Sequence, residues 1–233
     1  MIAAYILGGA SLIFAILFSW IRSIKPSIYS LVLKIAASVC FILCGAFAIK
    51  EVGSSSLNLL IIAGLVMGLI GDILLDLKIM YPEQSNEYFV SGTFSFAIGH
   101  LFYFIALVMF NMQVLPANLL WNILASVGVA IVLTLGILLP SKKLGLDFGS
   151  MFWIVALYSF ILTFMVAFSF SIAIFVPIFW VFASGMLLFF LSDLVLSMQY
   201  FGGKTQKSLI YINHILYYAA QILIALSILL VAF

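Results

Sequence analysis

Residues 58–77 read NLLIIAGLVMGLIGDILLDL, a mostly apolar run that carries two aspartates, Asp72 and Asp76, towards its end. A helix of about 20 mostly apolar residues matches the thickness of the hydrocarbon core of a bilayer. The rest of the chain has the same character, because 67% of its 233 residues are hydrophobic and only 7% are charged. Soluble domains carry roughly 25% charged residues. The composition predicts a polytopic membrane protein with one transmembrane domain over residues 1–233, and the net charge of +2 gives no indication of a nucleic-acid partner.

Eight segments are long and apolar enough to cross a bilayer as helices. They cover approximately residues 2–21, 28–49, 58–77, 89–110, 118–139, 149–170, 174–197 and 208–232. Proline, glycine and serine separate them, and Pro177 falls in the first turn of the seventh, where proline is tolerated. The sequence therefore predicts an all-α bundle of eight transmembrane helices.

The basic residues near the span ends predict the orientation of the bundle. Seven of them follow odd-numbered spans, and only Lys50 follows an even-numbered one. The seven are Arg22, Lys25, Lys78, Lys142, Lys143, Lys204 and Lys207. Because basic loops stay cytoplasmic, we expect cytoplasmic odd-numbered loops and both termini outside. The short loops favour a bacterial inner membrane, and the sequence leaves the oligomeric state open.

Ionisable residues inside spanning helices are costly and mark functional sites by default. The predicted spans hold Lys34, Asp72, Asp76, His100, Asp193 and His214. With the predicted orientation, all six and Tyr158 lie in the cytoplasmic half of the membrane. Simpler interpretations stand beside a functional one: Asp76 could reach the interface, and Lys34 could snorkel towards it.

Two segments of the chain resemble each other. The first has GDILLD and later GHLFYF, and the second has SDLVLS and later NHILYY. The match aligns Asp72 with Asp193 and aligns two His-x-x-Tyr motifs, which are His100 with Tyr103 and His214 with Tyr217. It predicts a parallel repeat of four plus four helices, in which the two aspartates face each other. Chance similarity between apolar segments is the alternative, and each tyrosine could merely form a local hydrogen bond.

Asp72 and Asp193 are the candidate catalytic pair. Two nearby carboxyls in a low dielectric cannot both ionise cheaply, so one keeps a proton near neutral pH. Such a pair can supply a general acid and a general base. Lys34 would keep one aspartate ionised or meet a phosphate, while the tyrosines and Asn213 would orient water or substrate. The structural alternative is a set of buried hydrogen bonds that fixes helix packing.

Two other kinds of site compete with this interpretation. Two histidines and two aspartates could hold zinc, but the chain has no His-Glu-x-x-His motif, and we predict neither a metal nor a cofactor. A proton-coupled transporter of a small metabolite would also use intramembrane acids, histidines and a repeat. Against transport, the polar residues gather in one half of the membrane, and no predicted span is clearly broken in its middle.

Four short stretches resemble the motifs of the lysoplasmalogenase family, the YhhN-like multi-pass membrane proteins. They are Gly71-Asp72-Ile73-Leu74-Leu75, Gly92-Thr93-Phe94-Ser95-Phe96 followed by His100-Leu101-Phe102-Tyr103, Phe189-Phe190-Leu191-Ser192-Asp193, and Tyr217-Tyr218-Ala219-Ala220-Gln221. Lys34 also matches a Lys-Pro pair of the family, although Ile35 stands in place of the proline.

The resemblance implies an enzyme that hydrolyses the vinyl ether bond of lysoplasmalogen, a lysophospholipid of the membrane. The products would be a fatty aldehyde and glycerophosphocholine or glycerophosphoethanolamine. Asp72 and Asp193 would be the acid and base, and Lys34 and His100 would help to hold the phosphate or tune the acid. The full supporting set would be Lys34, Asp76, His100, Tyr103, Tyr158, Asn213, His214, Tyr217 and Gln221.

Overall fold

A computed structural model describes residues 1–231, and within that range the chain is a bundle of eight long helices without β-strands. The helices are α1 (Ile2–Ile24), α2 (Ile28–Val52), α3 (Ser56–Met80), α4 (Ser85–Val114), α5 (Leu119–Leu138), α6 (Phe152–Ala173), α7 (Trp180–Tyr200) and α8 (Lys207–Val231). All eight are long and apolar enough to cross a membrane. The predicted fold class is confirmed, and the predicted last residue of the eighth span, 232, lies outside the described residues.

Local chemistry fixes where the helices begin. Ser27 and Ser30 form a capping box at the start of α2, in which each hydroxyl accepts a hydrogen bond from the other residue's backbone N–H. The seventh helix begins later than the predicted residue 174, since α7 starts at Trp180 after a short 3-10 turn over Pro177–Phe179. Proline disfavours a helical conformation in the preceding residue, and Val176 is indeed not helical, with φ −124° and ψ 87°.

Glycines on one face of α3 let neighbouring side chains approach its backbone. A Cβ atom at Gly68 would lie 2.7 Å from Gln221 Nε2, and one at Gly71 would lie 2.6 Å from the ring of Phe96. At Gly64 it would overlap the ring of Tyr103. Small residues commonly allow such close helix contacts in membranes. Here they make room for polar side chains that the sequence places in the candidate site.

The packing order puts α8 in the interior and α5 at the periphery. α8 contacts α1, α2, α3 and α7, whereas α5 contacts mainly α6. α3 with α4 and α7 with α8 form two closely packed adjacent pairs, as the proposed repeat requires. The repeat itself stays a prediction.

We predict that Gly64→Ala destabilises the protein by about 1–3 kcal/mol, the usual range for overpacking a filled interior. The added methyl group must displace the ring of Tyr103, which is only 1% exposed. Gly9→Ala is the matched control, because a Cβ atom at Gly9 meets nothing within 4 Å. The midpoint of thermal unfolding in one detergent measures both variants. Equal midpoints for both would contradict the close packing of Tyr103 on α3.

Candidate functional site

A buried ion network joins α1, α2 and α3. Lys34 Nζ lies 3.5 Å from Asp72 Oδ1 and 3.4 Å from Asp76 Oδ1, and Arg22 Nη1 lies 3.1 Å from the same Asp76 oxygen. Lys34 is 5% exposed and Asp76 is 2% exposed. Both side chains are therefore enclosed by the helix bundle and paired with opposite charges. Each charge stays inside because an opposite charge compensates it.

The other carboxylate oxygen of Asp72, Oδ2, accepts two further hydrogen bonds. Ser38 donates to Oδ2 at 2.6 Å and Tyr217 donates at 3.0 Å. Gln221 Nε2 donates to the Tyr217 hydroxyl at 2.9 Å, and Tyr103 donates to Gln221 Oε1 at 3.4 Å. The two tyrosines thus form a chain across helices and do not merely bond locally. Every hydrogen bond in this chain points towards Asp72, an arrangement that suits an ionised carboxylate.

Asp193 has a different set of neighbours. The Tyr158 hydroxyl donates to its Oδ2 at 2.8 Å, and Ser192 lies 3.5 Å from its Oδ1. Among residues 1–231, no cation forms an ion pair with it. Asn213 bonds to the residue before Asp193. Its side-chain amide donates to the Ser192 carbonyl at 2.7 Å, which connects α8 to α7. The two candidate aspartates therefore differ in the charge of their partners.

Both aspartates line one polar cavity, which together with the open space at its mouth measures about 510 Å³. Its charged and polar walls include Arg22, Lys34, Asp72, Asp76, Asp193 and Asn213. A second cavity lies beside it, between α7 and the helices α4, α5 and α6, and measures about 730 Å³ together with the open space at its mouth. The second cavity is mainly apolar, with walls that include Phe89, Ile137, Phe148, Val155, Leu162 and Phe190. We call these two spaces the polar cavity and the apolar cavity.

The two cavities share part of their lining, which we call the common wall. It consists of Leu75, Phe96, Asp193, Leu196 and Tyr200, which line both. Asp193 is the only ionisable carboxyl group among these five residues. Its carboxyl group therefore stands where a polar space meets an apolar one.

The two histidines occupy unlike places. His214 lines the polar cavity, with Nδ1 3.1 Å from the Ser19 hydroxyl. His100 lines neither cavity. Its Nδ1 bonds to the Phe96 carbonyl at 2.7 Å, and its ring meets the edge of Tyr158 with centroids 6.0 Å apart. His100 thus contacts Tyr158, whose hydroxyl donates to Asp193.

Sequence reasoning missed several residues of the site. Arg22 was assigned to a loop because it follows an apolar run, yet it is in the last turn of α1 and its side chain is 10% exposed. Ser38 follows Lys34 by one helical turn on α2. Because residues at this spacing share a helix face, the sequence could have identified Ser38 as a candidate. Lys78 was also counted as a loop charge, but its ammonium lies 3.5 Å from the centroid of the Tyr200 ring. In the described part of the chain, no three His, Cys, Asp or Glu side chains converge as metal ligands would.

Comparison with known proteins identifies a family. The model of the YhhN family matches residues 29–228, which is most of the chain. No curated protein and no solved structure matches the chain.

We predict that Lys34→Met lowers stability by about 3 kcal/mol or more, as expected when one partner of a buried ion pair is removed. The variant leaves Asp72 without its cation and weakens the compensation of Asp76. Lys25→Met is the control, since Lys25 is exposed and lies just beyond α1. Adding Asp72→Asn to Lys34→Met should recover part of the loss in thermal unfolding, because Asp72 is the carboxylate left without a cation, whereas Asp76 keeps Arg22. A double variant no more stable than Lys34→Met would show that Lys34 and Asp72 do not compensate each other.

Proposed function

Because this chain belongs to the YhhN family, which contains lysoplasmalogenases, we propose that it is an integral-membrane hydrolase of the vinyl ether bond of a lysoplasmalogen. The products are a fatty aldehyde and a glycerophospho-base. The position of Asp193 on the common wall of the polar and apolar cavities is the observation that carries the proposal.

The shape of the substrate explains why this position matters. A lysoplasmalogen has a polar glycerophospho end and one alkenyl tail, and its vinyl ether lies between them. Ligand pockets are mostly apolar with a few placed polar groups, and here the two kinds of surface are separated. With the head group in the polar cavity and the tail in the apolar cavity, the vinyl ether lies beside Asp193.

The two aspartates have different neighbours, which suit them to different roles in the reaction. Asp72 accepts from Ser38 and Tyr217 and pairs with Lys34, so it is suited to remain a carboxylate. Asp193 has only hydroxyl partners and no pairing cation in the described chain, so it is suited to carry the proton. The Tyr158 hydroxyl donates to Oδ2, whereas the Ser192 hydroxyl near Oδ1 donates to the Phe189 carbonyl at the shorter distance of 2.9 Å. We therefore assign the proton to Oδ1.

The reaction then follows from the chemistry of a vinyl ether. Asp193 gives its proton to the alkene carbon farther from the ether oxygen, and the adjacent carbon becomes part of an oxocarbenium ion. The Asp72 carboxylate, fixed in the same cavity, stabilises the developing positive charge. Water adds to the cationic carbon, and the hemiacetal collapses to an aldehyde and the glycerol hydroxyl.

A proton-coupled transporter needs polar groups that lead from its site towards each face of the membrane, which it opens in turn. The hydrogen-bond chain from Asp72 instead ends at Tyr103, whose ring packs against Gly64 and the edge of Phe182, with ring centroids 5.8 Å apart. This enclosed end supports the hydrolase.

We predict that Asp193→Asn and Asp72→Asn each lower the rate of aldehyde release by about 100-fold or more, the usual contribution of a general acid or a placed charge. The assay uses purified protein in detergent with an alkenyl lysophospholipid. Asp147→Asn is the matched control, because Asp147 is exposed in the α5–α6 connection and its carboxylate accepts only from the Gly149 N–H. Full activity in either cavity variant, with a folded protein, would exclude the paired-aspartate mechanism.

We also predict that Val155→Trp raises KM for long-chain substrates more than for short-chain ones, because the larger ring fills part of the apolar cavity. Leu157→Trp is the control on the same helix, since Leu157 is 64% exposed and faces away from the cavity. Steady-state kinetics with alkenyl chains of two lengths measures the effect. An equal change in KM for both lengths would place the tail elsewhere.

A further inference from the structure

The hydrogen bonds of Ser19 fix the tautomer of His214. The Ser19 hydroxyl lies 2.7 Å from the Ala15 carbonyl oxygen and 3.1 Å from His214 Nδ1. A carbonyl oxygen can only accept, so the single hydroxyl hydrogen of Ser19 goes to Ala15. The hydrogen between Ser19 and the histidine must then sit on Nδ1. In the neutral ring of His214, Nε2 is consequently a free acceptor.

His214 lines the polar cavity, and its free nitrogen keeps some accessible surface. His214 lines that cavity together with Asp72 and Asp193, and the ring of Phe18 packs against it with centroids 4.5 Å apart. Within residues 1–231, Nε2 of His214 makes no hydrogen bond. His100 has the same tautomer, but its Nε2 is buried without a partner, whereas His214 Nε2 is not among the buried unpaired atoms.

We propose that His214 is a second acid–base group of the hydrolase, which takes the proton of the attacking water and later returns it to the leaving glycerol oxygen. This inference rests on the proposed function. Asp72 is less suited to the task, because Ser38 and Tyr217 already donate to one of its oxygens and Lys34 pairs with the other.

The proton balance of the cycle closes with this assignment. Asp193 loses its proton to the alkene carbon, which forms a C–H bond and an oxocarbenium ion. The oxygen of water bonds to the cationic carbon while His214 Nε2 takes one of its protons, giving a neutral hemiacetal and an imidazolium. The C–O bond to glycerol then breaks as the imidazolium protonates the leaving oxygen. The Asp193 carboxylate takes the hemiacetal hydroxyl proton, which restores both residues.

Ser19 is a positioning residue in this scheme. It lines neither cavity, and it holds the Nδ1–H tautomer that leaves Nε2 as a base. Its loss should therefore weaken the same step as the loss of His214, to a smaller extent.

The experiment is hydrolysis of an alkenyl lysophospholipid in D2O by wild type, His214→Ala and Ser19→Ala. When water attack is slow, the oxocarbenium ion returns a proton to Asp193, so recovered substrate acquires deuterium at its alkene carbon. We expect aldehyde release by His214→Ala to fall about 100-fold, with deuterium in the recovered substrate and partial rescue by added imidazole. Wild type should show deuterium in the aldehyde alone.

The controls separate this role from a structural one. Ser23→Ala removes a similar hydroxyl on α1 that donates only to the Trp20 carbonyl, and it should leave recovered substrate free of deuterium, unlike Ser19→Ala. A slower His214→Ala without deuterium in the substrate, or an unchanged rate, overturns the role of His214 and leaves the hydrolase standing. No aldehyde and no deuterium with folded wild type overturns the hydrolase itself. Ser19→Ala keeps the test decisive if His214→Ala does not fold.

Discussion

The site depends on charge compensation inside the membrane. Lys34 touches two carboxylates and Arg22 touches one of them, and none of these ions could remain in a low dielectric alone. Because they come from α1, α2 and α3, the ion network fixes how the ends of these three helices meet. The polar cavity exists where that network leaves space against α7 and α8. The same ion pairs therefore hold the three helices together and set the charge of the polar cavity.

The two aspartates look equivalent in sequence, yet the fold makes them unequal. In the repeat alignment they occupy matching positions, but α2 presents Lys34 and Ser38 to Asp72, whereas α6 presents Tyr158 to Asp193. A cation and several donors favour a carboxylate, and hydroxyl partners allow a neutral acid. An acid next to a fixed anion is the combination that vinyl ether protonation needs. The difference lies in the neighbouring helices, so motif spacing cannot reveal it.

Hydropathy and helix-breaking residues were sufficient to predict the eight helices, because the bilayer restricts spanning segments to one length and one kind of surface. The buried ionisable residues could also be found, since each is costly in a spanning helix. Arg22 was not predicted as a site residue, because a charge at the end of an apolar run looks like a loop residue. Ser19 and Ser38 were not predicted either, because serine is common in such helices and carries no charge. The common wall of the cavities depends on how Phe96 and Leu196 pack across helices, which no local pattern encodes.

That wall also bears on the class of lipid in the proposed reaction. On one side, the apolar cavity offers aromatic and aliphatic surface to a single chain. On the other side, a second chain would have to lie against Arg22, Asp76 and Asn213, which would lose contact with water or polar ligand groups without receiving hydrogen bonds in return. A glycerol hydroxyl in the same place can donate and accept. The common wall thus favours a lipid with one tail over a lipid with two. This physical reason is independent of the chemistry of bond cleavage.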